Sequence, residues 1–123
     1  MAYDRSNVFA RILRGELPCK RLYENDHALA FHDINPIAPV HVLVIPKGEY
    51  VSMDDFTTEA SPEQIAGFFR AVGEAARQLG LSADGYRFLA NTGVHANQEV
   101  PHFHVHIFGG APLGGMLKKI EAR

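Results

Sequence analysis

Residues 102–108 read His-Phe-His-Val-His-Ile-Phe, and no other stretch limits the chain's local structure so tightly. Polar and apolar side chains alternate strictly, which is the period of a half-buried β-strand. Alternate residues on a strand point the same way, so His102, His104 and His106 share one face. Phe103, Val105 and Ile107 take the other, against a core. Strand rise separates successive histidine Cα atoms by roughly 6–7 Å. Three imidazoles, each with an ordinary pKa of about 6.5, then sit in a row on one rigid element. Such a row is compatible with a solvated polar face, a zinc site of neutral imidazoles, or acid–base and nucleophilic catalysis.

The surrounding chain reads as a single domain, residues 1–123, of ordinary globular composition: 46% hydrophobic and 21% charged. Ser6 or Asn7 can cap a short helix through Val8, Phe9, Ile12 and Leu13 that Gly15 ends. Strands are expected over Lys20–Glu24 and Ala28–Asp33, joined by a polar turn, and over Val40–Ile45 before Pro46-Lys47-Gly48. Ser61-Pro62-Glu63-Gln64 opens a long helix with an N-cap, a proline at the first helical position and a capping-box glutamine. Its apolar stripe runs Ile65, Phe68, Phe69, Val72, Ala76, Leu79, with Gly80 as the stop. Residues 85–90 make a further strand, and a loop from Asn91 to Pro101 leads to the histidine strand. The expected class is α+β: a five-stranded antiparallel sheet with one long and one short helix.

Several function classes are disfavoured. A formal charge of −2 with no basic run leaves no footprint for nucleic acid. Cys19 stands alone, so neither an internal disulfide nor a CxxC motif exists. The first residues lack a signal peptide's apolar core, and no stretch approaches the ~20 apolar residues of a membrane span. A cytoplasmic protein is therefore expected. There is no Walker A loop, no G-x-G-x-x-G and no G-x-S-x-G elbow. A histidine row suits phosphoryl or nucleotidyl transfer better, because one imidazole can attack while its neighbours handle charge and protons. If one of them must be neutral and another charged, the rate should be bell-shaped around pH 6–7.

The run His102–Phe108 resembles the His-x-His-x-His-apolar-apolar signature of the histidine triad superfamily. The resemblance extends through Phe31-His32-Asp33-Ile34-Asn35-Pro36, His41-Val42-Leu43-Val44-Ile45-Pro46-Lys47, Gly85-Tyr86-Arg87, Asn91-Thr92-Gly93 and Asn97-Gln98-Glu99-Val100. Gly109-Gly110 is similar to the Hint branch of purine nucleoside phosphoramidases, whereas the Fhit branch of dinucleoside polyphosphate hydrolases has Pro-Arg there. The resemblance implies a homodimer with a continuous ten-stranded sheet. It implies His104 as the nucleophile on the α-phosphorus, and His102 and His106 as the residues that orient it and contact phosphate or leaving group. His41 corresponds to a fourth histidine against the triad, and Asp33 to the carboxylate that accepts from the ribose hydroxyls. Val8, Phe9, Leu17, Phe31, Ile34 and Leu43 correspond to the apolar walls around a purine. Asn91 corresponds to a polar contact near ribose and phosphate, and the Glu99-Val100 backbone to the α-phosphate cradle.

Two departures qualify this picture. Glu99 stands where some Hint members carry a phosphate-contacting serine; an ionised carboxylate cannot donate, so the Val100 N–H is expected to serve. Some bacterial relatives hold zinc with two N-terminal cysteines and a histidine beside a triad histidine. Those positions here are Asn7, Ala10 and Glu49, so neither a metal nor a cofactor is expected. The expected activity is hydrolysis of purine nucleoside 5′-phosphoramidates. The alternatives are a dinucleoside polyphosphate hydrolase and a nucleotide-binding regulatory protein with incidental hydrolysis.

Overall fold

Residues 28–31 and 41–46 are buried whichever way their side chains point, so the strands that hold them need cover on both faces. The computed structural model, which describes residues 2–122, supplies it. Its elements in order are α1 (Val8–Leu13), β1 (Arg21–Glu24), β2 (Ala28–His32), β3 (Val40–Pro46), α2 (Met53–Glu59), α3 (Pro62–Gln78), β4 (Arg87–Leu89) and β5 (Val105–Gly109). A single 3₁₀ turn, Val94–Ala96, interrupts the loop before β5. The sheet is antiparallel throughout, in the order β1-β2-β3-β5-β4. The histidine strand is thus an interior strand between β3 and β4.

One face packs on α3. Ala28, Ala30, Val42, Val44, Val105 and Ile107 meet Phe68, Ala71, Val72 and Ala75 of the helix, with Phe56 and Phe103 completing the cluster. Phe103 stacks on Phe56 with ring centroids 4.9 Å apart. The α3 capping box forms as the sequence suggests, between Ser61 and Gln64 with Pro62 in the first turn. The other face is covered by α1, where Phe9 and Ile12 lie against Leu29, Phe31, Leu43 and Ile45. Asn7 rather than Ser6 caps α1: its Oδ1 accepts from Ala10 N–H at 2.9 Å.

Two details differ from expectation. Helix α2 is an additional short element, held by a Ser52–Asp55 capping box and a single buried side chain, Phe56. One buried residue makes no periodic stripe, which is why the pattern does not announce it. The ladder of β5 also begins at Val105, opposite Val44, and not at His102. Ahead of that pair Phe103 N–H donates to Tyr50 O at 2.7 Å, so the backbone leaves the sheet while the alternation of side chains continues. The end of β5 passes so close to Leu81 that a Cβ on Gly109 would lie 2.8 Å from its Cδ2.

Candidate active site

The face opposite α3 carries the histidines. Register pairs His41 with Phe108 and Leu43 with His106, which places the two imidazoles side by side across β3 and β5. Their ring centroids are 5.2 Å apart, and those of His104 and His106 are 5.0 Å apart. Phe9 of α1 meets His104 edge-on at 5.0 Å. A cavity of about 340 Å³ opens over this cluster. Among its lining residues are His104, His106, His41, Asp33, Phe9, Leu43, Asn91, Glu99 and Val100, all of which the sequence selects. Asn35, Ile37, Ala96 and Asn97 also line it, none of which the sequence singles out as a site residue.

The other selected residues stand elsewhere. Phe31 is buried and Leu17 half-buried in the cluster beneath Phe9, so both support the cavity wall without reaching its surface. Val8 is on the exposed side of α1, and Ile34 is 91% exposed beside Asp33. His102 is fully buried and does not line the cavity.

Hydrogen bonds fix the tautomer of each ring, because a carbonyl oxygen can only accept. His104 Nδ1 lies 2.7 Å from His102 O, so Nδ1 carries the hydrogen and Nε2 keeps a free lone pair. His102 Nε2–H donates to Pro46 O at 2.9 Å, and its Nδ1 is paired with the Tyr3 hydroxyl. Ile37 N–H donates to His41 Nδ1 at 3.2 Å, so His41 carries its hydrogen on Nε2. That atom is 3.0 Å from His106 Nδ1 and 3.4 Å from Asp33 Oδ2. His106 Nδ1 is then an acceptor and its Nε2 bears the hydrogen. The free Asp33 oxygen has this position because Oδ1 accepts from Asn35 N–H at 2.8 Å.

Burial holds all four rings toward the neutral form. Desolvation pushes His102 and His106 down to about 4, against a smaller opposing pull from the Pro46 carbonyl and from Asp33 respectively. His104 and His41 are lowered by the same cause, with Asp33 opposing the shift in both. Burial therefore disfavours a standing imidazolium among the four rings. The acid–base chemistry available is that of neutral imidazoles with assigned hydrogens. Asp33, His41 and His106 could each offer one donor atom to a metal, all within 4.8 Å of one another. An ion there would have to displace the His41–His106 hydrogen bond.

Glutamine 98 lies inside the Asn97–Val100 motif, yet sequence reasoning gives it no role. Its Nε2 donates to Val51 O at 2.7 Å and to Val100 O at 3.0 Å, while Oε1 accepts from Gly93 N–H at 3.1 Å. These bonds tie the 91–100 loop to itself and to the segment preceding α2. Asn97 holds φ +55°, a left-handed turn that aligns the loop for them.

A small α+β domain, with a buried histidine cluster under an open cavity on the sheet face opposite its long helix, has the HIT fold. The HIT domain family model matches residues 14–113, and the chain belongs to the histidine triad family of hydrolases, on its Hint-like branch. It is 64% identical to a HIT-like protein of Azospirillum brasilense, over 95% of this chain and 96% of the relative. It is 41% identical to the purine nucleoside phosphoramidase of Escherichia coli K12, over 89% and 92% of the two chains. Among solved structures, the HIT family hydrolase from Clostridium thermocellum superposes with a TM-score of 0.85 at 36% identity, covering 94% of this chain and 99% of that one. A histidine triad protein from Clostridium difficile gives 0.81 at 33% identity, with 94% and 100% covered.

Proposed function

We propose that this protein cleaves the P–N bond of purine nucleoside 5′-phosphoramidates through a nucleotidyl-histidine intermediate. One observation carries the reading: His104 Nε2, its lone pair left free by the Nδ1–H bond to His102 O, belongs to a ring that lines the cavity beside His106. The relative named purine nucleoside phosphoramidase, at 41% identity, supports the choice of substrate class.

The chemistry follows from the assigned hydrogens. Nε2 of His104 attacks the α-phosphorus, the P–N bond breaks, and its electron pair leaves with the amine nitrogen. That nitrogen needs a proton, and Nε2–H of His106, whose ring lines the cavity, supplies it. An anionic phosphate bound against the His41–His106 pair favours one added proton on the pair, next to Asp33. Delivery of that proton returns the pair to its neutral state. Water then attacks the phosphorus, the P–N(His104) bond breaks, and the water's proton returns to the pair. The net reaction consumes one phosphoramidate and one water and yields a nucleoside monophosphate and an amine.

In this reading Asp33 accepts from the ribose hydroxyls, and Asn91 contacts ribose or phosphate. The Glu99-Val100 backbone cradles the phosphate, and Phe9, Leu43 and Ile34 flank the base. Phe31, Leu17 and Val8 shape that wall from behind or from its rim. A homodimer belongs to the same proposal. Strand β4 is a three-residue edge with unpaired backbone, and its Phe88 is 55% exposed. A second copy adding across it would extend the sheet to ten strands. Among the described residues no helix is long and apolar enough to cross a membrane; action in the cytoplasm is proposed with the rest.

The test is incubation with an adenosine 5′-phosphoramidate of a simple amine, with mass analysis of the quenched protein. A transient adenylyl adduct on His104 and a loss of at least ~10³-fold in kcat for His104→Ala are expected. Full turnover by His104→Ala would refute the mechanism. Faster cleavage of a dinucleoside polyphosphate than of the phosphoramidate would move the substrate class to the alternative.

A further inference from the structure

The ring of the first triad histidine is anchored by a residue outside the cavity. Tyr3, in the segment ahead of α1, directs its hydroxyl at His102 Nδ1. The two rings meet edge-on, with centroids 5.6 Å apart at 69°. Because His102 commits Nε2–H to Pro46 O, its Nδ1 holds a lone pair and the Tyr3 hydroxyl is the donor. The segment that delivers Tyr3 is itself fastened. Asp4 O accepts from Asn7 Nδ2 at 2.7 Å, and Arg5 O accepts from Arg14 Nη1 at 2.8 Å.

We propose that Tyr3 is a positioning residue for the nucleophile: its hydroxyl fixes the ring and tautomer of His102, and thereby the backbone carbonyl that orients His104. The inference rests on His104 being the nucleophile. His102 is fully buried, so removing the hydroxyl leaves Nδ1 without a donor in a dry site. The ring must then rotate or admit water from the separate cavity of about 330 Å³ that Tyr3 walls together with Glu49 and Ser52. Either response shifts residue 102 and loosens the 2.7 Å bond to His104 Nδ1–H. Freed of it, the His104 ring samples the tautomer in which Nε2 carries the hydrogen and cannot attack. Burial raises the Tyr3 phenol above its ordinary pKa and lowers His102 to about 4, so both stay neutral across the working range. Tyr3 does not line the nucleotide cavity, so its removal acts on the chemical step and spares affinity.

The test compares the wild-type protein with Tyr3→Phe, which keeps the edge-on ring contact. Imidazole ¹⁵N shifts, AMP affinity and kcat for a phosphoramidate are measured on both. Wild type should show His102 as the Nε2–H tautomer and His104 as Nδ1–H. The variant should move His104 toward a tautomer mixture and lower kcat about three- to tenfold, with the AMP Kd within about twofold. A wild-type His102 bearing its hydrogen on Nδ1 overturns the proposal. So does a variant with unchanged His104 shifts and kcat, even if its melting temperature falls, because that result makes Tyr3 a stability residue alone. If the wild-type protein cleaves no phosphoramidate, the hydrolase reading fails separately, and the tautomer measurement still decides the role of Tyr3.

Discussion

Replacing Gln98 with leucine keeps the side chain's approximate size and removes three hydrogen bonds at once. The donations to Val51 O and Val100 O disappear, as does the acceptor for Gly93 N–H. Each is worth about 1 kcal/mol net, so the 91–100 loop loses roughly 2–3 kcal/mol of ordering. The penalty is local, because Thr92, Gly93, Val94 and His95 are exposed and the core clusters lie elsewhere. If the ordered loop is the form that receives the phosphate, kcat/KM for an adenosine phosphoramidate falls by roughly 30- to 150-fold. Hydrogen exchange at Gly93 and Val100 should accelerate in parallel, with little change in the amides of β2 and β3. Gln98→Glu separates the contributions, since it preserves the acceptor for Gly93 and abolishes both donated bonds. It should be impaired about as much as the leucine variant. Activity of Gln98→Leu within about twofold of wild type would refute the loop-ordering argument.

Acid sensitivity follows from the buried rings. His102 titrates near 6.5 in the unfolded chain and is held at about 4 in the folded one, so the unfolded state binds more protons between those values. Its contribution is complete above pH 6.5 and is lost as pH falls toward 4, by roughly 3 kcal/mol. Urea midpoints measured from pH 7.5 to 4.5 should fall accordingly, and His102→Asn should show a shallower slope; equal slopes would contradict the assignment. In the free enzyme the lowered pKa values of His104, His106 and His41 place the acid limb of kcat/KM below pH 6.5. A full bell centred at pH 6–7 is therefore not expected for kcat/KM. If the proposed dimer forms across β4, Phe88→Lys should convert the protein to monomer in sedimentation at micromolar concentration. An unchanged sedimentation coefficient would exclude the β4 edge as the interface.

The fold was legible where periodicity and caps are local. The alternation of 102–108 and the stripe of α3 each identify an element and its buried face, and the Ser61–Gln64 box marks the α3 start. Of the candidate site, the titratable members His104, His106, His41 and Asp33 were legible in the sequence, and the fold brings them to one cavity. What the sequence hides are partners set by tertiary approach. Tyr3 meets His102 across 99 residues and Gln98 reaches Val51 across 47, and neither side chain has a local signature. The role of His102 is hidden for a related reason. Periodicity places its ring on the histidine face, yet both ring nitrogens are engaged away from the cavity.

The late start of the β5 ladder has a consequence for how this site can be dissected. His102 O is available to His104 because the backbone has not yet entered the sheet at that point. The group that orients the His104 ring is thus main chain, and the genetic code cannot delete it. An alanine scan reads position 102 only through its ring and will credit a carbonyl's influence to imidazole chemistry. Backbone editing is the matching tool: an ester in place of the 102–103 amide weakens that carbonyl as an acceptor and leaves every side chain intact. It also removes the Phe103 N–H, whose bond to Tyr50 O needs its own control.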